Sequence, residues 1–85
     1  MPEKQNIEWK EIWKDEYLAW ICGFANAQGG TLCIGKNDHG ETVTLSNSRK
    51  LLEDLPNKIR DALGIIVPVN LVVDGDKEYL EISVK

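Results

Sequence analysis

Hydrophobic and polar positions along the chain alternate between the two-residue period of strands and the 3.6-residue period of helices. From Asn6 to Lys10, Ile7 and Trp9 fall to one side and Glu8 and Lys10 to the other, as in a short strand with one covered face. The apolar side is the expected inner one, which sends Trp9 inward and leaves Glu8 and Lys10 on the outer face. From Asp15, which is placed to cap a helix, Tyr17, Leu18, Ile21, Phe24 and Ala25 recur at helical spacing until Gly29-Gly30 ends the run. Thr31 to Lys36 and Glu41 to Leu45 then read as two strands of a hairpin around Asp38 to Gly40, with Leu32 and Ile34 on one face.

The second half repeats the sequence of signals. Ser46 to Ser48 offers cap residues for a stripe of Leu51, Leu52, Leu55, Ile59, Ala62 and Leu63, and Gly64 marks its end. Pro56 lies inside the stripe, where proline cannot donate to the preceding turn and clashes with it, so a kink or a break is expected there. Ile65 to Val73 and Glu78 to Val84 read as strands around Asp74-Gly75-Asp76, with Leu80, Ile82 and Val84 facing in and Glu81, Ser83 and Lys85 facing out. The order is β-α-β-β-α-β-β. It predicts an α+β domain, a mixed sheet of five strands with both helical segments on one face.

Length and composition narrow this further. Eighty-five residues support one small core. No segment has the apolar length of a membrane span, and the first 13 residues lack the apolar centre of a signal peptide, so the expected setting is the cytoplasm, away from membranes. The chain stops at Lys85 in what reads as strand, which points to an N-terminal piece of something longer, with further domains following. Cys22 and Cys33 are expected reduced. With His39 the only histidine, a zinc site of Cys and His ligands cannot be assembled within one chain.

Net charge is −4, which provides little long-range attraction toward phosphates. The imbalance is uneven: residues 1–50 carry six basic and seven acidic side chains, and residues 51–85 carry four and seven. A basic patch therefore belongs to the first half. Lys10, Lys14, Lys36, Arg49 and Lys50 are its candidates for phosphate contact. Trp13, beside Lys10 and Lys14, either staples onto the following helix or stacks on a base, whereas Trp20, off the helical stripe, is expected to pack beside another element. Asn26 is placed to cap backbone groups at the helix exit, and His39 reads as a solvated turn residue. Glu3, Glu8 and Asp38 are the carboxylates that would have to converge to hold a divalent cation, with Lys10 nearby for a phosphate.

One motif invites a nucleotide-binding reading. Gly30-Thr31-Leu32-Cys33-Ile34-Gly35-Lys36 has the G-x-x-x-x-G-K spacing of a phosphate-cradling loop. The residues between the glycines are strand formers, Asn37 stands where a hydroxyl is needed, and a turn follows where a helix should begin. The spacing is a coincidence.

EKQNIEWK (Glu3 to Lys10) and ICGFANAQGGTLCIG (Ile21 to Gly35) together resemble the Schlafen AlbA-type DNA-binding domain, whose signatures are E-x-x-x-x-E-F-K and I-C-A-F-A-N-x-x-G-G-x-L-x-I-G. The resemblance extends over nearly the whole chain. It departs after the signature glycine, where the family has Val-Asp-Asp and this chain has Lys36-Asn37-Asp38. It implies a nucleic-acid-binding domain of a bacterial transcriptional regulator, DNA being the expected partner and no cofactor being required. It also implies an alternative, a metal-dependent ribonuclease using Glu3, Glu8 and Asp38 as a Mg²⁺ or Mn²⁺ triad. A second alternative, independent of the resemblance, is an assembly module that forms homo-oligomers.

Overall fold

The computed structural model describes residues 6–43 and 45–85. Strand β1 (Ile7–Lys10) leads through a short 3₁₀ turn (Asp15–Tyr17) into helix α1 (Leu18–Asn26) and strand β2 (Gly30–Ile34). Helix α2 (Ser48–Leu63) and a hairpin of β3 (Val69–Asp74) and β4 (Lys77–Val84) complete the chain. The sheet runs β1-β2-β4-β3, with β1 parallel to β2 and the remaining pairs antiparallel. Both helices cover the same face, so the architecture is the expected α+β layer pair, with four strands among the described residues in place of five.

The missing strand has a topological cause. Strand β2 already has β1 on one edge and β4 on the other, so a strand over Glu41 to Leu45 has no free edge of β2 to pair with. The turn itself forms as expected, through Asn37 N–H to the Glu41 carbonyl (2.9 Å) and Val43 N–H to the Gly35 carbonyl (2.8 Å). Its strand character stops at one isolated bridge between Lys36 and Thr42. Leu45 then drops into the core at 7% exposure and starts the approach to α2.

The core sits between the helices and β2 and β4: Ile21 from α1, Leu51, Leu55 and Ile59 from α2, and Leu32, Ile34, Leu80, Ile82 and Val84 from the sheet. Pro56 does not break α2, which runs unbroken over 16 residues. Leu51 and Leu55 precede the proline and Ile59 follows it, all buried on one stripe. Packing on both sides holds the helix through the one carbonyl that loses its donor. Gly64 ends it as expected, in the left-handed region at φ 72°, with its N–H on the Arg60 carbonyl. The expected side-chain caps are not used. Asp15 lies within the 3₁₀ turn and accepts from Trp13 Nε1 (2.8 Å), and Ser48 donates from α2 to Glu78 Oε2 (2.6 Å).

The turn between α1 and β2 depends on its two glycines. Gly29 has φ +91°, and a Cβ there would lie 2.5 Å from the Val84 carbonyl oxygen. At Gly30 a Cβ would meet the Phe24 ring at 2.5 Å, so the helix lies directly on the start of the strand. Among the described residues, no helix is long and apolar enough to cross a membrane.

Candidate functional site

The alternation in β1 is as expected, but the side it presents is reversed. Glu8 is in register with Leu32 and Lys10 with Ile34, and both partners are fully buried on the helix-covered face. Neighbours in register point the same way, so Glu8 and Lys10 face the helix side and Ile7 and Trp9 the opposite side. There the Trp9 ring lies on Gly40, where a Cβ would approach it to 2.9 Å. An edge strand tolerates charges on this side because α1 packs mainly over β2 and β4, leaving β1 incompletely roofed.

The gap between β1 and α1 is a groove of about 560 Å³, lined by Lys10, Tyr17, Trp20, Gly23 and Phe24, with Asn6, Glu16, Ala19 and Ala27 around it. Tyr17, Trp20 and Phe24 are three and four residues apart, which stacks them along one side of the helix. The Trp20 and Phe24 ring centroids are 6.1 Å apart. Lys10 Nζ lies 5.0 Å from the Tyr17 ring centroid and 5.6 Å from that of Trp20, both within cation–π range. It also pairs with Glu8 at 3.2 Å, the two side chains being about a quarter exposed. Trp20 retains 42% of its surface in solvent.

Trp13 takes the packing role of its two readings, whereas Trp20 departs from the packing expected of it. Trp13 packs edge-on to Tyr17 at 6.1 Å and against the core, while its Nε1–H is tied to Asp15. That hydrogen bond, helped by Lys58, holds the Asp15 carboxyl below its ordinary range. Trp20 is the ring left open. Its position off the apolar stripe of α1, three residues after Tyr17, was the available signal. What the sequence did not indicate was that Lys10 would face the same side.

The other candidate cations lie elsewhere. Lys14 is exposed just before the 3₁₀ turn. Lys36 sits on the opposite face of the sheet, 4.2 Å from the Tyr79 ring centroid, donating to the Gly40 carbonyl (3.0 Å) and to Thr42 Oγ1 (3.4 Å). Thr42 in turn donates to Asp74 Oδ2 at 2.7 Å. Arg49 and Lys50 open α2, beside Glu78 (3.9 Å) and Asp54 (3.1 Å). The five cations thus do not share one surface.

Of the three carboxylates, Glu3 lies outside the described residues. Glu8 is engaged with Lys10 on the helix side, and Asp38 is exposed in the turn that packs Gly40 on Trp9, on the other side. Among the described residues, no three His, Cys, Asp or Glu side chains come together in a way that could hold a metal ion. Cys22 and Cys33 are both free thiols. Burial, with the Glu81 carboxylate adding to it, pushes the Cys33 thiol up to about 11 against the opposing pull of Lys36. Asn26 donates to Cys22 Sγ at 3.5 Å and, among the described residues, caps no backbone group.

Residues 3–84 match the Schlafen, AlbA_2 profile. The chain belongs to the Schlafen, AlbA_2 family. Two solved structures share the fold of this AlbA_2 domain. One is the N-terminal domain of an ATP-dependent DNA helicase RecG-related protein from Nitrosomonas europaea, 26% identical with a TM-score of 0.71 over 99% of this chain. The other is a Corynebacterium diphtheriae protein, 18% identical with a TM-score of 0.67 over the same share, a likeness of fold. The AlbA_2 domain spans 65% and 18% of those two chains respectively. No curated protein matches it.

Proposed function

We propose that this AlbA_2 domain is a nucleic-acid-binding module, with DNA as its first partner, serving a bacterial regulator in the cytoplasm. The observation that carries the reading is the open groove in which the Lys10 ammonium lies beside the exposed Trp20 ring and Tyr17. A cation for phosphate and a ring for a base are the two components of sequence-tolerant nucleic-acid contact. The neighbouring domain from a DNA-helicase-related protein, at 26% identity, supports the same reading. The helicase activity in that protein's name is not carried over to this domain.

Within this reading Lys10 is the contact cation, while Lys36 serves its own turn. Fluorescence anisotropy with labelled oligonucleotides tests it. Binding at low salt that Lys10→Ala weakens for every sequence alike, with the salt slope reduced by about 0.7 to 0.9, is the expected result. Absence of binding at low salt would sink it. Metal-dependent RNA cleavage through Glu3, Glu8 and Asp38 has less support, because Glu8 is paired on the helix side while the turn bearing Asp38 packs on the other.

A further inference from the structure

We infer that the groove between β1 and α1 receives one unpaired nucleobase, so that the domain takes single-stranded nucleic acid in preference to a duplex. This rests on the nucleic-acid reading above and narrows its substrate class.

A duplex keeps its bases stacked inside and presents phosphates, so affinity for it requires several cations on one surface. This chain carries a net charge of −4, and its candidate cations are dispersed. Lys36 is behind the sheet on Tyr79, and Arg49 and Lys50 sit beside carboxylates at the start of α2. Lys10 lines the groove, and Lys14 is exposed just before the 3₁₀ turn. Two cations give little hold on a duplex, and most of the affinity has to come from another source.

The groove supplies that source in the form of aromatic surface. Trp20 leaves 42% of itself in solvent, and Tyr17 and Phe24 continue its wall. A base reaches that wall only when it is out of a duplex stack, as single strands allow. Gly23 keeps the wall accessible, since a Cβ built there meets nothing within 4 Å. A planar ring laid against Trp20 lies beside the Lys10 ammonium, which is placed for that nucleotide's phosphate. The nucleotide's phosphate meets Lys10, the one cation among the lining residues, by displacing its pair with Glu8 (3.2 Å), and since Glu16 lines the groove as well, the aromatic wall rather than net charge selects the occupant.

The absence of a side chain at Gly23 provides the test. Gly23→Leu fills the groove from a position open to space and favours the helix, so it blocks a base without unfolding the domain. Wild type, Gly23→Leu and Trp20→Ala are compared by anisotropy on a labelled single strand of about 12 nucleotides, its duplex, and an abasic strand of equal length. The single strand should bind about tenfold more tightly than either the duplex or the abasic strand. Both variants should lose about tenfold on the single strand while their thermal melts stay cooperative. Tryptophan fluorescence should be quenched by the single strand in wild type and far less in Trp20→Phe. Duplex binding as tight as single-strand binding, or single-strand binding indifferent to Gly23→Leu, overturns the base-in-groove inference and leaves nucleic-acid binding standing. Failure of all three oligonucleotides to bind overturns both.

Discussion

Lys10 and Lys36 sit on opposite faces of one sheet, each with its ammonium over an aromatic ring, and the two play different parts. Lys36 uses its donors within its own segment: the Gly40 carbonyl, Thr42 Oγ1 and the Tyr79 ring fix the turn that carries Asp38 and His39. Thr42 is 7% exposed and passes the link on to Asp74 in β3, so the loop is tied to the far edge of the sheet. Lys10 pairs with Glu8 and lies against rings that line an open groove. A cation–π contact therefore does not by itself indicate a binding site. What distinguishes the two lysines is whether the remaining donors are directed at the protein's own carbonyls and hydroxyls or toward solvent.

The largest effect that sharpens this comparison is one of pH on the Lys36 side. The Cys33 thiol, raised from 9.0 to about 11 in the fold, stays neutral while the unfolded chain ionises. Stability is thus whole below pH 9 and declines as pH rises toward 11, by roughly 2–3 kcal/mol. Urea titrations across that range should show the decline, and Cys33→Ala should lessen it, leaving the part that comes from the Tyr79 hydroxyl, which burial also pushes up. Gly40→Ala comes next, at about 2 kcal/mol of destabilisation, because φ +80° is strained for alanine and the Trp9 ring stands in the way. Chemical denaturation measures it.

Lys36→Ala should cost about 1–2 kcal/mol through loss of its charge-assisted hydrogen bonds, and leave oligonucleotide affinity within about twofold. A variant that kept full stability but lost binding would reverse the assignment of the two lysines. Lys10→Ala is the smallest in stability, under about 0.5 kcal/mol since its ion pair is partly exposed, yet it should weaken oligonucleotide binding severalfold. Equal stability losses at the two lysines would abolish the contrast between them.

Much of the fold was legible in the sequence because it is encoded locally. The stripes of Leu51, Leu55 and Ile59 and of Leu80, Ile82 and Val84 identified a helix and a strand and the residues each buries. Gly64 ended its helix, and Gly75 adopts the positive φ of the turn between β3 and β4. Of the candidate site, the sequence supplied Lys10 but not its surroundings. Trp13 looked the freer tryptophan because it sits between lysines, yet its ring packs on Tyr17 and its N–H is satisfied by Asp15.

The sequence by itself determined the family, the order of the two helices and of four strands, and which residues of each strand share a face. Only the tertiary structure decided which face of β1 the helices overlook, that Glu41 to Val43 forms a single bridge and not a strand, and that α2 continues through Pro56. The physical reason is common to all three. A two-residue period sorts side chains into two sets without saying which is covered, and a strand signal counts only where a neighbour has a free edge. A proline is tolerated when packing on both sides of it outweighs one lost hydrogen bond. Coverage, edges and packing all arise between segments distant in sequence. The meeting of Lys10 with Trp20 across the gap from β1 to α1 is another such event.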